Sequence, residues 1–113
     1  MANLQWDILQ SDEDFQKAKE LSKEKVVVIF KHSTRCPVSS MAKRMFESQY
    51  DYEQNDVQAF FLDLIAHRSI SNLISQDLAI DHQSPQMIVL KNGMAVYDSS
   101  HSMISAPAIS KWL

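Results

Sequence analysis

The chain has 113 residues, 45% of them apolar and 22% charged, which predicts a single globular domain over residues 1–113. Its one glycine leaves no room for a glycine-rich phosphate-binding loop, and its one cysteine excludes an internal disulfide and a cysteine-based zinc cluster. The net charge of −3 argues against nucleic acid as a partner.

Two features of the sequence bear on where the protein works. No apolar run approaches the roughly 20 residues that span a bilayer. The first residues, Met-Ala-Asn-Leu-Gln-Trp, lack the basic flank and apolar core of a secretory signal. We therefore predict a cytoplasmic, reducing setting without a membrane partner, and we expect a monomer.

The first predicted elements are a short strand and a helix. Leu4, Trp6 and Ile8 alternate with polar residues, which predicts a strand with one buried face. Ser11 is followed by three acidic residues, a pattern typical of a helix start, because the hydroxyl caps free amides and the acids meet the positive end of the helix dipole. This helix should run to about Lys23.

A central strand and a second helix come next. Residues 26–30 are β-branched or aromatic, which favours a strand covered on both faces. After the polar segment 31–37, apolar residues recur at helical spacing, and Pro37 suits the first turn of that helix. These apolar positions are Val38, Met41, Ala42, Met45, Phe46 and Tyr50.

The second half of the chain continues the alternation. Residues 57–64 predict an apolar strand, and residues 70–78 predict an amphipathic helix. Residues 87–90 and 95–97 predict two strands joined at Asn92-Gly93, because both of these residues tolerate the positive φ of a tight hairpin turn. Ser105 is expected to cap a short final helix.

The order of these elements predicts the fold class. Helices join the first three strands, so these strands should lie largely parallel through right-handed crossovers, whereas the last two form an antiparallel hairpin. The prediction is an α/β protein of thioredoxin-like plan, with a mixed four- to five-stranded central sheet and helices on both faces.

The single cysteine, Cys36, lies where a buried strand ends and a helix begins. Free amides and the dipole at a helix start stabilise a thiolate, and Arg35 adds positive charge beside it. A thiolate is the nucleophile of thiol–disulfide exchange, so the placement predicts a reactive cysteine. The alternative is a buried structural cysteine, which packs as a small hydrophobe.

The residues around Cys36 form a C-x-x-S pattern that ends at Ser39. The Ser39 hydroxyl can donate a hydrogen bond to a thiolate but cannot resolve a mixed disulfide, so an outside thiol must do so. Ser84-Pro85 precedes a strand at the point where thioredoxin-like folds place a cis-proline facing the cysteine. The alternative there is an ordinary trans proline at a strand start.

Basic residues are concentrated around the cysteine. Residues 25–46 contain five of them and no acid: Lys25, Lys31, Arg35, Lys43 and Arg44. Such a patch in an acidic protein can bind a small anionic ligand. The alternative is a solvated helix face.

Several short motifs resemble one known family. Residues 30–39, Phe-Lys-His-Ser-Thr-Arg-Cys-Pro-Val-Ser, resemble the signature of the monothiol bacilliredoxin family, also described as bacillithiol-system redox or general stress proteins. Ser71-Asn72, residues 82–86 and Ser100-His101, followed by Ile104-Ser105, resemble its later motifs in order. The chain departs from the pattern at Arg35, Val38 and Met103.

The resemblance implies a monothiol thiol–disulfide oxidoreductase that removes bacillithiol from mixed disulfides on cytoplasmic proteins through Cys36. Bacillithiol is then a co-substrate, no cofactor is bound, and a patch around Lys31 and Arg35 would meet its malate carboxylates. Pro37 and Ser39 would support the thiolate. The expected substrate-binding residues are Thr34, Arg35, Ser84, Pro85 and His101.

Other interpretations stay open at this point. An iron–sulfur monothiol glutaredoxin usually shows C-G-F-S and a later glycine pair, whereas this chain has Pro37 and a single glycine, Gly93. A non-catalytic binding or stress protein is compatible with six methionines. The four scattered histidines suggest no metal site, and His32 and His101 could border the active site or be structural. Asp63 could accept a proton or simply end its strand.

Overall fold

The computed structural model describes residues 4–113 and contains five strands, three α-helices and two 3-10 helices there. The expectation that the N-terminus carries no secretory signal falls partly on residues 1–3, outside this range. The strands are β1 (Trp6–Ile8), β2 (Val26–His32), β3 (Val57–Asp63), β4 (Gln86–Lys91) and β5 (Met94–Ser100). The α-helices are α1 (Asp12–Leu21), α2 (Pro37–Gln49) and α3 (Arg68–Leu78), and the 3-10 helices span His101–Met103 and Ala106–Trp112.

The strands form one mixed sheet in the order β1-β3-β2-β4-β5. β1 and β2 run parallel to β3, whereas β4 is antiparallel to β2 and β5 is antiparallel to β4. The predicted order of elements and the mixed sheet are therefore confirmed. Because β2 lies between β3 and β4, the segment that follows it emerges at the middle of the sheet edge.

Each face of the sheet carries its own hydrophobic core. Val27 and Ile29 pack with α1 and α3 on one face. Val28 and Phe30 pack with α2 and the second 3-10 helix on the other. All seven residues of β2 are buried, which confirms the prediction of a central strand covered on both faces.

Two local predictions are confirmed by hydrogen bonds and dihedral angles. The Ser11 hydroxyl accepts a hydrogen bond from the Asp14 amide at 3.2 Å and caps α1. Asn92 and Gly93 adopt φ values of 56° and 78° in the turn between β4 and β5. The Gly93 amide also donates to the Ser22 hydroxyl at 2.8 Å, which ties the hairpin to the end of α1.

Two packing expectations are wrong, one for β1 and one for α2. Ile8 is 50% exposed because β1 is an edge strand that ends there, and Leu9 occupies the core instead. On α2 Phe46 and the flanking Tyr50 are buried and Ala42 packs partly buried against the same core, because the helix rests on the sheet by one narrow stripe. Three residues of its predicted apolar set are exposed by 63%, 57% and 56%, respectively: Val38, Met41 and Met45.

The final helix is a 3-10 helix rather than an α-helix. Ser105 precedes it but contributes no side-chain cap, and the Ala108 amide bonds to the carbonyl of Ser105 three residues back. None of the helices described between residues 4 and 113 has both the length and the apolar character needed to cross a membrane.

Candidate active site

Cys36 is the N-cap residue of α2, and Pro37 occupies the first turn. Its carbonyl accepts the Ser40 amide at 3.0 Å, and its own amide donates to the Ser33 carbonyl at 3.1 Å. The residue is partly exposed. The cysteine is thus placed at a helix start and in contact with solvent, as the reactive interpretation requires, and it is not sealed in the core.

Ser39 is fully buried beneath this loop. Its hydroxyl oxygen accepts a hydrogen bond from the Ser33 amide at 3.1 Å and lies 2.7 Å from His32 Nδ1. Within residues 4–113 no hydrogen bond joins this hydroxyl to the Cys36 sulfur. Ser39 therefore holds the loop before the cysteine in place and is not a surface serine, while its direct support of the thiolate stays a prediction.

The partner of Ser39 is the buried imidazole of His32. Burial lowers the pKa of His32, the charge of Lys43 lowers it further, and the carboxylates of Asp63 and Glu47 oppose both effects. The ring is therefore neutral at pH 7, and one of its nitrogens donates while the other accepts. Because Nδ1 is committed to Ser39, Nε2 is the nitrogen left for other groups.

Replacing Ser39 by alanine is expected to destabilise the fold by about 1–3 kcal/mol, because the Ser33 amide and His32 Nδ1 both lose a buried partner. Chemical denaturation measures this loss. The control is Ser48→Ala on the exposed side of the same helix, whose hydroxyl bonds only to the Met45 carbonyl. Equal stability of the two variants would contradict the proposed role of Ser39.

The loop before β4 lies at the same edge of the sheet as the loop before Cys36, because Gln86 at the start of β4 pairs with Lys31 near the end of β2. The Ser84–Pro85 peptide bond is cis, as the fold assignment predicted. The Pro85 carbonyl accepts the His101 amide at 3.1 Å, so the first 3-10 helix is joined to this loop. His101 adopts φ 54°, and its side chain is exposed, so the backbone of His101 makes the contact. Thr34 and Arg35 are exposed on the loop before Cys36.

Lys31 does not contribute to a basic patch with Arg35, which corrects the sequence interpretation. Neighbouring residues of a strand point to opposite faces, so His32 faces α2 whereas Lys31 is buried on the α3 face. Its ammonium donates to the Ser71 carbonyl at 3.1 Å and the Ser75 hydroxyl at 3.0 Å, and it lies 3.4 Å from His82 Nδ1.

A cavity of about 270 Å³ opens between the first half of α2 and β3, and Thr34 and Ser40, on either side of Cys36 in the chain, line it. Its lining residues are His32, Thr34, Ser40, Lys43, Arg44 and Phe61. Sequence reasoning named the two cations only as members of a basic segment. The sequence spacing could have predicted this lining. Positions 40, 43 and 44 come four, seven and eight residues after Cys36, so in a helix they lie on the same face as the cysteine.

Two further observations concern groups considered from the sequence. Asp63 is the last residue of β3, and its carboxylate accepts the Ile65 amide at 3.1 Å, so Asp63 ends the strand. In the described part of the chain, no three histidine, cysteine or acidic side chains come together as a group that could hold a metal ion.

Solved structures show which fold this is. A candidate oxidoreductase with a thioredoxin fold aligns with a TM-score of 0.78 and 27% identity, over 92% of this chain and 89% of that one. The thioredoxin of Malassezia sympodialis aligns with a TM-score of 0.76 and 19% identity, over 98% and 93%. The thioredoxin of Fasciola hepatica aligns with a TM-score of 0.70 and 15% identity, over 93% of each chain. The chain therefore has the thioredoxin fold.

A protein-family model described as monothiol bacilliredoxin BrxC matches residues 7–109, which include the whole site and all five strands except the first residue of β1. Thiol chemistry in that family is consistent with a lone cysteine at the start of α2. The motifs noted in the sequence and this match agree, and they support a redox role. The chain belongs to the monothiol bacilliredoxin BrxC family.

Proposed function

We propose that this protein removes bacillithiol from mixed disulfides on cytoplasmic client proteins, with Cys36 as the nucleophile. The observation that carries the proposal is the position of this lone, partly exposed cysteine at the N-cap of α2. Free amides of the first turn can donate hydrogen bonds to an anion at this position. The family match supplies the chemical class of the reaction.

The first step is an exchange at the mixed disulfide. The Cys36 thiolate attacks the bacillithiol sulfur, a Cys36–bacillithiol disulfide forms, and the bond from bacillithiol to the client sulfur breaks. The client leaves as a thiolate and takes a proton from solvent. No electrons are gained or lost overall, because one disulfide replaces another.

The second step restores the cysteine. With no second cysteine in the chain, an outside thiol must attack the bacillithiol sulfur of the Cys36 adduct, and a second, free bacillithiol is the thiol we propose, with another reductant as the alternative. Bacillithiol disulfide forms and the Cys36 thiolate is released, so the free bacillithiol is oxidised as the client thiol is restored, and the bacillithiol first bound to the client stays in a disulfide throughout. The co-substrate is therefore the reductant, and no bound cofactor is needed.

The client segment is proposed to lie along the Pro85 edge. Within residues 4–113 the backbone of Ser84 forms no hydrogen bond, so it is available to an extended peptide that approaches Cys36. Thr34 and Arg35 border the same approach. The side chain of His101 is exposed beside this edge and could contact the client.

A second candidate function is a binding protein without turnover. Three residues along one face of α2 and one in the first 3-10 helix leave apolar side chains exposed: Val38, Met41, Met45 and Met103. Such methionine-rich surfaces can bind many partners. The same exposed apolar surface could also hold a client during thiol exchange, so it fits both candidate functions. The redox function and the binding function differ in whether a client thiol is released.

A single-turnover reaction distinguishes them. The wild-type chain is mixed with a test protein that carries one bacillithiolated cysteine, and free client thiol and the mass of the Cys36 adduct are followed together. The redox proposal expects one client thiol released for each bacillithiol adduct formed. A stable complex with no released thiol would overturn it in favour of binding alone.

A further inference from the structure

We infer that the cavity between α2 and β3 binds the carboxylates of the small thiol and thereby decides which sulfur of the mixed disulfide is attacked. This inference rests on the proposed function and names a site for its substrate. The cavity is lined by Lys43 and Arg44 together with two hydroxyl-bearing residues, Thr34 and Ser40. Paired cations and hydroxyl donors in one concave site suit a dicarboxylate.

The position of the cavity separates it from the proposed client edge. β2 leads to Cys36, with β3 on one side of it and β4 on the other. Phe61 of β3 lines the cavity, whereas Pro85 precedes β4. The Ser40 amide bonds to the Cys36 carbonyl, so this lining residue lies one helical turn after the nucleophilic residue.

Lys43 is held in place before any ligand arrives. Its ammonium bonds to the Glu47 carboxylate at 2.8 Å and lies 5.3 Å and 5.8 Å from the ring centroids of Phe61 and Trp6, respectively. The same Glu47 oxygen accepts the Trp6 indole N–H at 2.7 Å. An ammonium has three donors, so Lys43 keeps donors for a ligand after this bond.

Arg44 is the cation whose charge is not compensated. It is exposed, and among residues 4–113 it forms no ion pair. Two carboxylates lie near the cavity, but Glu47 is paired with Lys43 and Asp63 accepts the Ile65 amide. The planar guanidinium can bind a carboxylate through two parallel hydrogen bonds.

His32 completes the lining as a neutral hydrogen-bonding group. Its Nδ1 is committed to Ser39, and within the described residues Nε2 has no hydrogen-bond partner. The tautomer that accepts from Ser39 at Nδ1 carries its proton on Nε2 and can donate it into the cavity. The cavity thus offers one uncompensated cation, one preorganised cation and three neutral donors.

The consequence concerns the regiochemistry of attack. If Cys36 attacked the client sulfur, it would form a Cys36–client disulfide, and the chain has no second thiol to resolve it. Carboxylates anchored in the cavity hold the small thiol next to Cys36 and leave the client sulfur as the leaving group. The site therefore favours client release over capture.

The test compares Arg44→Gln with Arg68→Gln, which removes the same type of exposed side chain from α3, outside the cavity. Each variant reacts with a bacillithiolated test protein and with neutral hydroxyethyl disulfide. For Arg44→Gln we expect formation of the Cys36–bacillithiol adduct to slow about tenfold, as for loss of one charge-assisted contact. Its rate with the neutral disulfide should stay within about twofold, since that reagent carries no carboxylate.

Intact-mass analysis gives the second readout. Arg44→Gln should raise the ratio of Cys36–client to Cys36–bacillithiol adduct, whereas Arg68→Gln should match the wild type. An unchanged rate and ratio, or an equal slowing with the neutral disulfide, would overturn the inference. A wild-type chain that forms no bacillithiol adduct and releases no client thiol would overturn the proposed function itself.

Discussion

Cys36→Ala is expected to reduce the release of client thiol to the rate measured without the protein. No other side chain of the chain can carry the exchange, because Cys36 is its only cysteine and serine hydroxyls do not attack disulfides near neutral pH. The measurement is single-turnover release of thiol from a bacillithiolated test protein. The loss should be the same with excess free bacillithiol, after subtraction of the uncatalysed exchange.

The fold is expected to survive this change. Cys36 is partly exposed, and its structural contacts at the helix start are made by its backbone amide and carbonyl. Cys36→Ser is the matched control for shape, and it should be as inactive as alanine while unfolding at the same denaturant concentration as the wild type. Residual turnover in either folded variant would show that exchange does not pass through this sulfur.

The second large effect concerns stability at alkaline pH. The wild type is expected to gain about 2 kcal/mol of unfolding free energy between pH 8 and pH 10 relative to Lys31→Met. Burial lowers the pKa of Lys31 from 10.5 to about 8, because no carboxylate pairs with its ammonium in the described residues. The measurement is chemical denaturation of both proteins across this range.

The sign follows from proton binding. Above pH 8 the folded chain has lost the Lys31 proton while the unfolded chain keeps it up to about pH 10.5, so the unfolded state binds more protons and stability rises with pH. Below pH 8 both states are protonated, and the full cost of burying the charge is present. Methionine fills a similar volume without a charge, so its curve lacks this rise.

Taking the difference in unfolding free energy between the wild type and Lys31→Met also cancels the contributions of other groups that titrate at high pH. Burial raises the pKa of Tyr50 to about 12, which makes stability fall with pH above 10 in both proteins. If the difference in unfolding free energy between the two proteins is the same at pH 8 and at pH 10, the Lys31 ammonium is not buried without a carboxylate partner.

The sequence by itself determined the order of strands and helices and the position of the nucleophile. A run of β-branched residues can form only a short buried strand here, and Pro37 can begin a helix but not continue one, so Cys36 had to lie at their junction. The hairpin at Asn92-Gly93 could likewise be predicted from local sequence, because it requires two residues that tolerate positive φ. Such features follow from chain geometry within a few residues.

Only the tertiary structure decided what each side chain near the site faces. Lys31 and His32 are neighbours in sequence, yet one lies under α3 and the other bonds to Ser39 under α2, because a central strand buries both of its faces. Lys43 and Arg44 border the site only because α2 rests beside Phe61 of β3. The role of a charged side chain depends on the residues that pack against it, and here those residues are distant in the sequence.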